Sequence, residues 1–267
     1  MLPIPIVVPI IVIGVMLELA WSHRHRLGLY TPKESVASVG TAVINQISSV
    51  ALLGWKYLVL MGAASLVPWS IPLNVGTVVV GLVGIEFCYY WFHRSSHEIP
   101  TLWTMHFVHH SSPEYNLLVA PRLSALAHLV SPFFFVPLAL IGFSPEFIVL
   151  ALAAGLFFQF FLHTQTIGRL GPLEGIINTP SAHRVHHGTN RQYIDRNYGN
   201  ILMVFDRLFG TYEPEGETVR YGVTTGHWGY NPLRLQFAPI WRHLTGKGWN
   251  RENQTAVEPA DTTEVLA

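Results

Sequence analysis

Eight of the 14 histidines in this 267-residue chain fall in three short motifs. HRSSH carries His93 and His97, HFVHH carries His106, His109 and His110, and HRVHH carries His183, His186 and His187. Helical residues three and four apart share a face, so each motif aims two or three imidazoles at one point. That is ligand geometry. Eight side chains exceed the roughly four to six positions of one first-row ion but suit two ions. A lone histidine, His163 in FFLHTQTIG, could supply a ninth. Imidazole accepts zinc, copper, iron or nickel alike, so ligand type leaves the metal open. The HExxH of zinc proteases is absent, and so are the Glu-x-x-His pairs of soluble di-iron bundles. Neutral imidazoles leave most of a metal's charge uncompensated, which favours the electrophilic chemistry that attack on an unactivated C–H bond requires.

The other histidines, His23, His25, His128, His227 and His243, are isolated or stand beside arginines and read as ordinary structural residues. Glu86 precedes His93 by seven residues, two helical turns on the same face, and could hold a ligand's second nitrogen. Its alternative is an interfacial glutamate paired with an arginine. Glu114, Asn116 and Arg122 follow the second motif, and Asp195, Asn197 and Asp206 follow the third. Each could orient a ligand or cap a helix.

The elements that position these residues must lie largely in a membrane. Half of the chain is hydrophobic and only 12% is charged, against about a quarter in soluble domains; mean hydropathy is +0.34. Sixteen basic and sixteen acidic residues cancel, so nothing in the overall charge suggests a nucleic-acid partner. Cys88 is the single cysteine, which excludes an internal disulfide framework and a Cys-rich metal site. A spanning helix needs about 20 apolar residues. Segments 3–21, 42–66 and 74–92 qualify, while 125–141 and 146–163 are shorter, broken by Pro and Gly, and joined by IGFSPE. Four to five spans follow, with 125–163 either crossing fully or re-entrant. The N-terminal MLPIPIVVPIIVIGVMLELAW reads as a retained first helix, not a removed signal peptide. Basic residues Arg24, Arg26 and Lys33 follow it, and most later arginines lie beside or after the histidines. The excess of basic residues in cytoplasmic loops then places the histidine motifs on the cytoplasmic face. From about 164 onward the chain is more polar and reads as a cytoplasmic cap, ending in a disordered tail at 251–267.

The order HRxxH, HxxHH, HRVHHG, set among YYWFHR, SSPEYN, NTPSAHRVHH and NYGNILMVFDRLFGTY, resembles the fatty acid hydroxylase and sterol desaturase superfamily of membrane di-iron enzymes. The resemblance runs from about Glu86 to Arg242. SSPEYNLLVAPRLS, FLHTQTIGRLGPLEGIINTP, NRQYIDRNYGN and YGVTTGHWGYNPLRLQF look most like the alkylglycerol monooxygenase branch and its bacterial relatives. It implies two iron ions held by the eight clustered histidines, with His163 carried over as an additional ligand and Glu114 as an acid lining the site. The chain departs from the pattern at Glu86, where many relatives have Asp, and at Pro121, Ala182 and Phe205. None of these is an expected ligand; Pro121 and Phe205 bear on the substrate pocket.

The expectation is therefore an all-α, integral-membrane helical bundle with a cytoplasmic histidine-rich cap. Residues 1–73 form N-terminal membrane helices and a basic loop, and residues 74–250 a catalytic domain that uses O2 to hydroxylate a lipid entering from the bilayer. Glu86 and Glu114 would orient groups or deliver protons. Electrons must come from a separate reductase or carrier, because GxGxxG, Cys-ligated clusters and a haem domain are absent; family analogy offers a cytochrome, a ferredoxin or a reduced pterin. One rival is desaturation of a sterol or acyl chain on the same centre, distinguished by whether oxygen is retained in the product. Another is non-catalytic metal binding or transport, which the placement of the motifs at span ends disfavours. A bacterial inner membrane is favoured over the endoplasmic reticulum. The lipid itself and the oligomeric state are not legible.

Overall fold

The computed structural model describes residues 4–247; the expected tail at 251–267 lies outside the described residues. Ten α-helices follow one another: α1 (Ile4–Arg24), α2 (Pro32–Ala51), α3 (Leu53–Ala64), α4 (Val75–Glu98), α5 (Pro100–His110), α6 (Ala127–Ile141), α7 (Pro145–Phe160), α8 (Pro180–His186), α9 (Val204–Phe209) and α10 (Pro232–Leu244). No strand forms among the described residues; two isolated bridges, Glu174 to Ile177 and Ile177 to Leu202, brace the loop around α8.

Local chemistry sets the helix ends. Asn74 opens α4 with a reciprocal capping box to Thr77, and Pro100 follows its end and starts α5 at a position that needs no amide hydrogen. Ser144 caps α7 through the Phe147 amide, and Thr179 caps α8 through Ala182. Between α6 and α7 the chain reverses at Gly142, whose φ of +112° suits glycine.

Helices α1 and α4 are long and apolar enough to cross a membrane, and α2 with α3 passes as one span bent by 46°. At 15 and 16 residues, α6 and α7 fall short of a full crossing by length. The second span therefore begins at Pro32, ten residues before the sequence expectation, and is broken at Leu52. Its inward face is polar: Glu34, Ser38, Thr41 and Asn45 are buried, and Asn45 Oδ1 meets His128 Nε2 at 2.8 Å. These inward polar residues dilute any hydropathy window, although Val36, Val39, Val43, Ile47 and Val50 point outward.

The apolar core joins α3, α4, α6 and α7 through Leu60, Ile85, Phe135, Leu138, Phe143 and Ile148. Close approach depends on small residues in α4: a Cβ at Gly81 would lie 2.6 Å from the Phe147 ring. A second cluster, Ala37, Phe107, Val108, Trp228 and Leu235, fastens α2 and α10 to α5. Buried charge ties the remaining ends together. Arg122, wholly buried, donates to Glu34 at 2.8 Å, Ser111 Oγ at 2.9 Å and the Val108 carbonyl at 3.0 Å. Glu18 of α1 accepts from Tyr30, Thr164 and the Leu117 amide. The N-terminal helices are thus fastened directly to the helices and loops that carry the histidines.

Candidate metal centre

All nine sequence-selected histidines converge into two groups. His93 and His97 of α4, His106 and His110 of α5, and His186 of α8 form the first; His109, His163, His183 and His187 form the second. Within each group one nitrogen per ring lies within 4.8 Å of all the others. The spacing explains the partition. On α5, His106 and His110 are one turn apart and face one group, whereas His109 faces the other. On α8, His183 and the capping His187 take the second group and His186 the first. The groups adjoin, with His110 stacked on His187 at 4.3 Å between ring centroids.

Backbone carbonyls fix several rings. His93 Nδ1 lies 2.9 Å from the Tyr198 carbonyl, His163 Nδ1 2.8 Å from that of Gln159, and His186 Nδ1 3.0 Å from that of Arg196. A carbonyl only accepts, so each Nδ1 carries the hydrogen and each Nε2 presents a lone pair to the group. Several of these Nε2 atoms face one another: His93 and His106 at 3.2 Å, His106 and His110 at 3.1 Å, His163 and His183 at 3.1 Å. The Nε2 atoms of His97, His186 and His187 are buried with no hydrogen-bond partner. Buried polar atoms without partners are costly, and a divalent ion in each group would satisfy them. The donor set thus fits two metal ions bound by neutral imidazoles.

Electrostatics agree. Burial, reinforced by neighbouring imidazoles, holds His106, His109, His110, His183, His186 and His187 well below their ordinary range, and burial takes His163 down to about 4. Metal can therefore bind at neutral pH without displacing protons. In metal-free protein the unfolded chain takes up protons near pH 6.5, while the folded chain resists them until about pH 4 at His163. The unfolded state then binds more protons across that window, so stability is lost as pH falls through it. His163 alone is worth roughly 3 kcal/mol. Denaturant titrations of the metal-free protein in detergent from pH 7 to pH 4 should show a steep fall that metal loading suppresses.

Glu86 does not touch a histidine. Its carboxylate accepts from Asn200 Nδ2 at 2.9 Å and from the amides of Ile201 and Leu202 at 3.0 and 2.8 Å, so it acts on the loop whose Tyr198 carbonyl orients His93. Glu114 accepts from the Thr31 amide at 2.8 Å and from Asn116, with no histidine among its hydrogen-bond partners. Asp206 receives the Tyr198 amide at 2.7 Å, and Asn197 braces the Ala182 and Glu213 carbonyls. Asp195 approaches His97 at 3.7 Å. The other five histidines stay outside both groups; His227, for example, meets Glu34 and His243 meets Thr101. Phe205 packs against Phe87 at the edge of an apolar groove between α4 and α6, about 710 Å³ in volume and on the face of α4 away from the histidines.

Sequence reasoning missed Gln159, Asn200, Tyr115 and Tyr198. Gln159 donates to Asn200 Oδ1 at 2.6 Å and accepts from Tyr89 at 3.1 Å. Glu86, Asn200 and Gln159 thus form one buried chain of side chains; the Tyr198 carbonyl, two residues before Asn200, takes His93, and the backbone carbonyl of Gln159 takes His163. A lone glutamine in the apolar run before His163 was the available signal. Tyr115 stacks on His163 and is itself covered by Tyr221. The chain of amides needs Gly155, where a Cβ would fall 2.4 Å from Asn200 Nδ2. Gly155→Ala is expected to destabilise the protein by about 1–3 kcal/mol and to weaken metal retention, read by thermal unfolding and by metal analysis after dialysis.

The fold and site define an all-helical integral membrane protein with two adjoining histidine groups that could each hold a metal ion. The chain belongs to the fatty acid hydroxylase family, whose model matches residues 78–211 and so encloses all nine histidines. Alkylglycerol monooxygenase of Homo sapiens is 46% identical over 64% of this chain and 37% of its own length. The Xenopus tropicalis protein of the same name is 38% identical over 76% of this chain and 46% of its own. Ornithine lipid hydroxylase OlsE of Rhizobium tropici is 34% identical over 55% and 45% respectively. The chain thus spans less than half the length of these curated relatives. No solved structure matches it.

Proposed function

We propose that this protein is a membrane di-iron oxygenase that uses O2 to hydroxylate a C–H bond of a lipid. The observation that carries the reading is the pair of buried, carboxylate-free histidine groups. Its relatives include alkylglycerol monooxygenases and an ornithine lipid hydroxylase, which supports a polar-headed lipid, an ether lipid among them, as substrate. His93, His97, His106, His110 and His186 would hold one iron, and His109, His163, His183 and His187 the other. When bound, the iron pair supplies the redox capacity and oxygen chemistry that these side chains lack.

The chain's own residues do the rest. Carbonyls of Tyr198, Gln159 and Arg196 fix the imidazole tautomers. Tyr115, Tyr198 and Trp103 wall the rings with aromatic surface and exclude water. Glu86 positions the 198–202 loop, and Glu114 ties the start of α2 to the segment after α5. Residues 74–250 act as the catalytic unit, with 1–73 buttressing it. The histidines take the cytoplasmic side, and the α6–α7 hairpin returns the chain to the side it left. Electrons arrive from a separate carrier.

The test is iron and zinc per chain in protein purified in detergent without oxygen, beside a His109→Ala, His186→Ala double variant, followed by lipid products formed under 18O2. Iron at both groups, lost in the double variant, with 18O retained in the product, is the expected result. Zinc alone from several expression hosts, or folded protein that takes up no metal, would overturn the reading. A product with a new double bond and no 18O would replace hydroxylation by desaturation.

A further inference from the structure

Helix α10 has two apolar faces, and the protein covers only one. Leu235, Gln236 and Pro239 are buried against α2 and α5. Leu233, Phe237, Trp241 and Leu244 recur at helical spacing on another face and are exposed, Trp241 at 64% and Leu244 at 72%. Such a stripe of large side chains is costly in water. Arg234 borders the stripe, and Arg242, exposed near the end of the helix, lies over the Trp228 ring. Lys33, at the start of α2, lies over Tyr230 just before α10. The arrangement has an apolar stripe, an aromatic residue at its edge and cationic groups above it, as in helices that lie within a membrane interface.

Continuity with the bilayer-facing surface identifies the occupant. Helices α2 and α10 touch so closely that a Cβ at Gly40 would sit 2.4 Å from the Pro232 ring. The outward face of α2 is a ladder of Val36, Val39, Val43 and Ile47, all exposed, and this helix belongs to the bent span. Gly40 follows Val39 of that ladder, so α10 starts against α2 beside the outward valines.

We propose that α10 is an interfacial membrane helix, its stripe sunk into the headgroup and acyl boundary and its arginines, with Lys33, at lipid phosphates. This rests on reading the chain as membrane-spanning. It revises the sequence expectation for this segment, since part of the polar cap is then held in the bilayer. Leu235 packs with Phe107 and Val108, and Gln236 accepts from the Ala125 amide and donates to the Leu123 carbonyl, at 2.9 and 2.8 Å. The bilayer surface is thereby connected through one helix to α5, which carries three histidines of the centre.

The test places an environment-sensitive dye, by Phe237→Cys, Trp241→Cys or Val79→Cys, on the full chain with the buried native thiol removed by Cys88→Ala. Proteins are reconstituted in phosphatidylcholine and phosphatidylglycerol nanodiscs bearing nitroxides at the top or the end of the acyl chain. Both α10 dyes should lose roughly half of their emission or more to the upper nitroxide, less to the terminal one, and little to iodide, as expected at a depth of about 5–10 Å. Quenching of the Val79→Cys dye by lipid nitroxides, with α10 dyes open to iodide and untouched by nitroxides, would overturn the proposal alone. Loss of lipid quenching at Val79→Cys as well would instead remove the membrane reading on which it rests. Protection of the α10 dyes from both quenchers, with energy transfer between copies, would assign the stripe to a second copy of the chain and also overturn it.

Discussion

Exchanging His163 for alanine is expected to empty the four-histidine group while the five-histidine group keeps its ion, and to abolish lipid oxidation. His163 stands apart from α5 and from α8 with its cap His187, which carry the rest of its group, and its ring is aimed by the Gln159 carbonyl one turn earlier. Removal leaves His109, His183 and His187, one donor short of the four imidazoles that would hold the ion. Loss of an outer-shell partner alone costs about 10–100-fold in metal affinity or activity, so turnover should fall by at least about a hundredfold. His97→Ala is the reciprocal experiment, since it lowers the other group from five to four and should leave the His163 group loaded. Metal analysis of both variants after anaerobic dialysis decides the matter. Equal loss of both ions from either variant would mean that the two groups fill as one unit. Full retention in His163→Ala would remove His163 from the ligand set.

The histidines were legible because helical periodicity leaves a mark that hydropathy cannot obscure. Two or three imidazoles at spacings of three and four must share a face, and α4, α5 and α8 are helical where those motifs lie. What spacing could not show was the division of labour. His109 and His110 are adjacent in sequence, yet a rotation of about 100° between them sends them to different groups. Glu86 shares the face of His93, as its spacing predicts, yet its carboxylate bonds Asn200 and the Ile201 and Leu202 amides and not a ligand nitrogen, because a side chain two turns away can reach any loop that folds over that face. The loop in question, 198–202, comes from more than a hundred residues later. The start of α2 was missed for an energetic reason. Its polar side chains bond inward while its valines face outward, the reverse of a soluble amphipathic helix. The exposed stripe of α10 was hidden for a related reason, since a helix with two apolar faces and three basic residues averages to an unremarkable polarity.

Glu86→Ala should cause the second large loss, and by a route that leaves every histidine in place. The carboxylate satisfies three donors, the buried Asn200 amide and the part-buried backbone N–H groups of Ile201 and Leu202. Without it those donors have no acceptor, and each unsatisfied buried group costs about 1–3 kcal/mol. A total near 3–5 kcal/mol places the substitution among the severe ones. Glu86→Gln separates charge from geometry. It keeps one accepting oxygen, but its amide nitrogen must meet an N–H group, so its stability should fall between wild type and Glu86→Ala. Glu86→Asp keeps both oxygens on a shorter stem and should retain more metal than either. A merely structural carboxylate would lower unfolding temperature and leave the metal site of the surviving folded protein unchanged. A positioning carboxylate predicts more: as the Tyr198 carbonyl drifts, His93 loses the acceptor that fixes its tautomer, and the folded fraction should bind metal about 10–100-fold more weakly. Metal affinity measured by chelator competition on folded protein, at a temperature well below unfolding, distinguishes the two. The weakening should begin in the five-histidine group and reach His163 through Asn200 and Gln159, because side-chain hydrogen bonds join Glu86 to Gln159, whose backbone carbonyl aims the His163 ring.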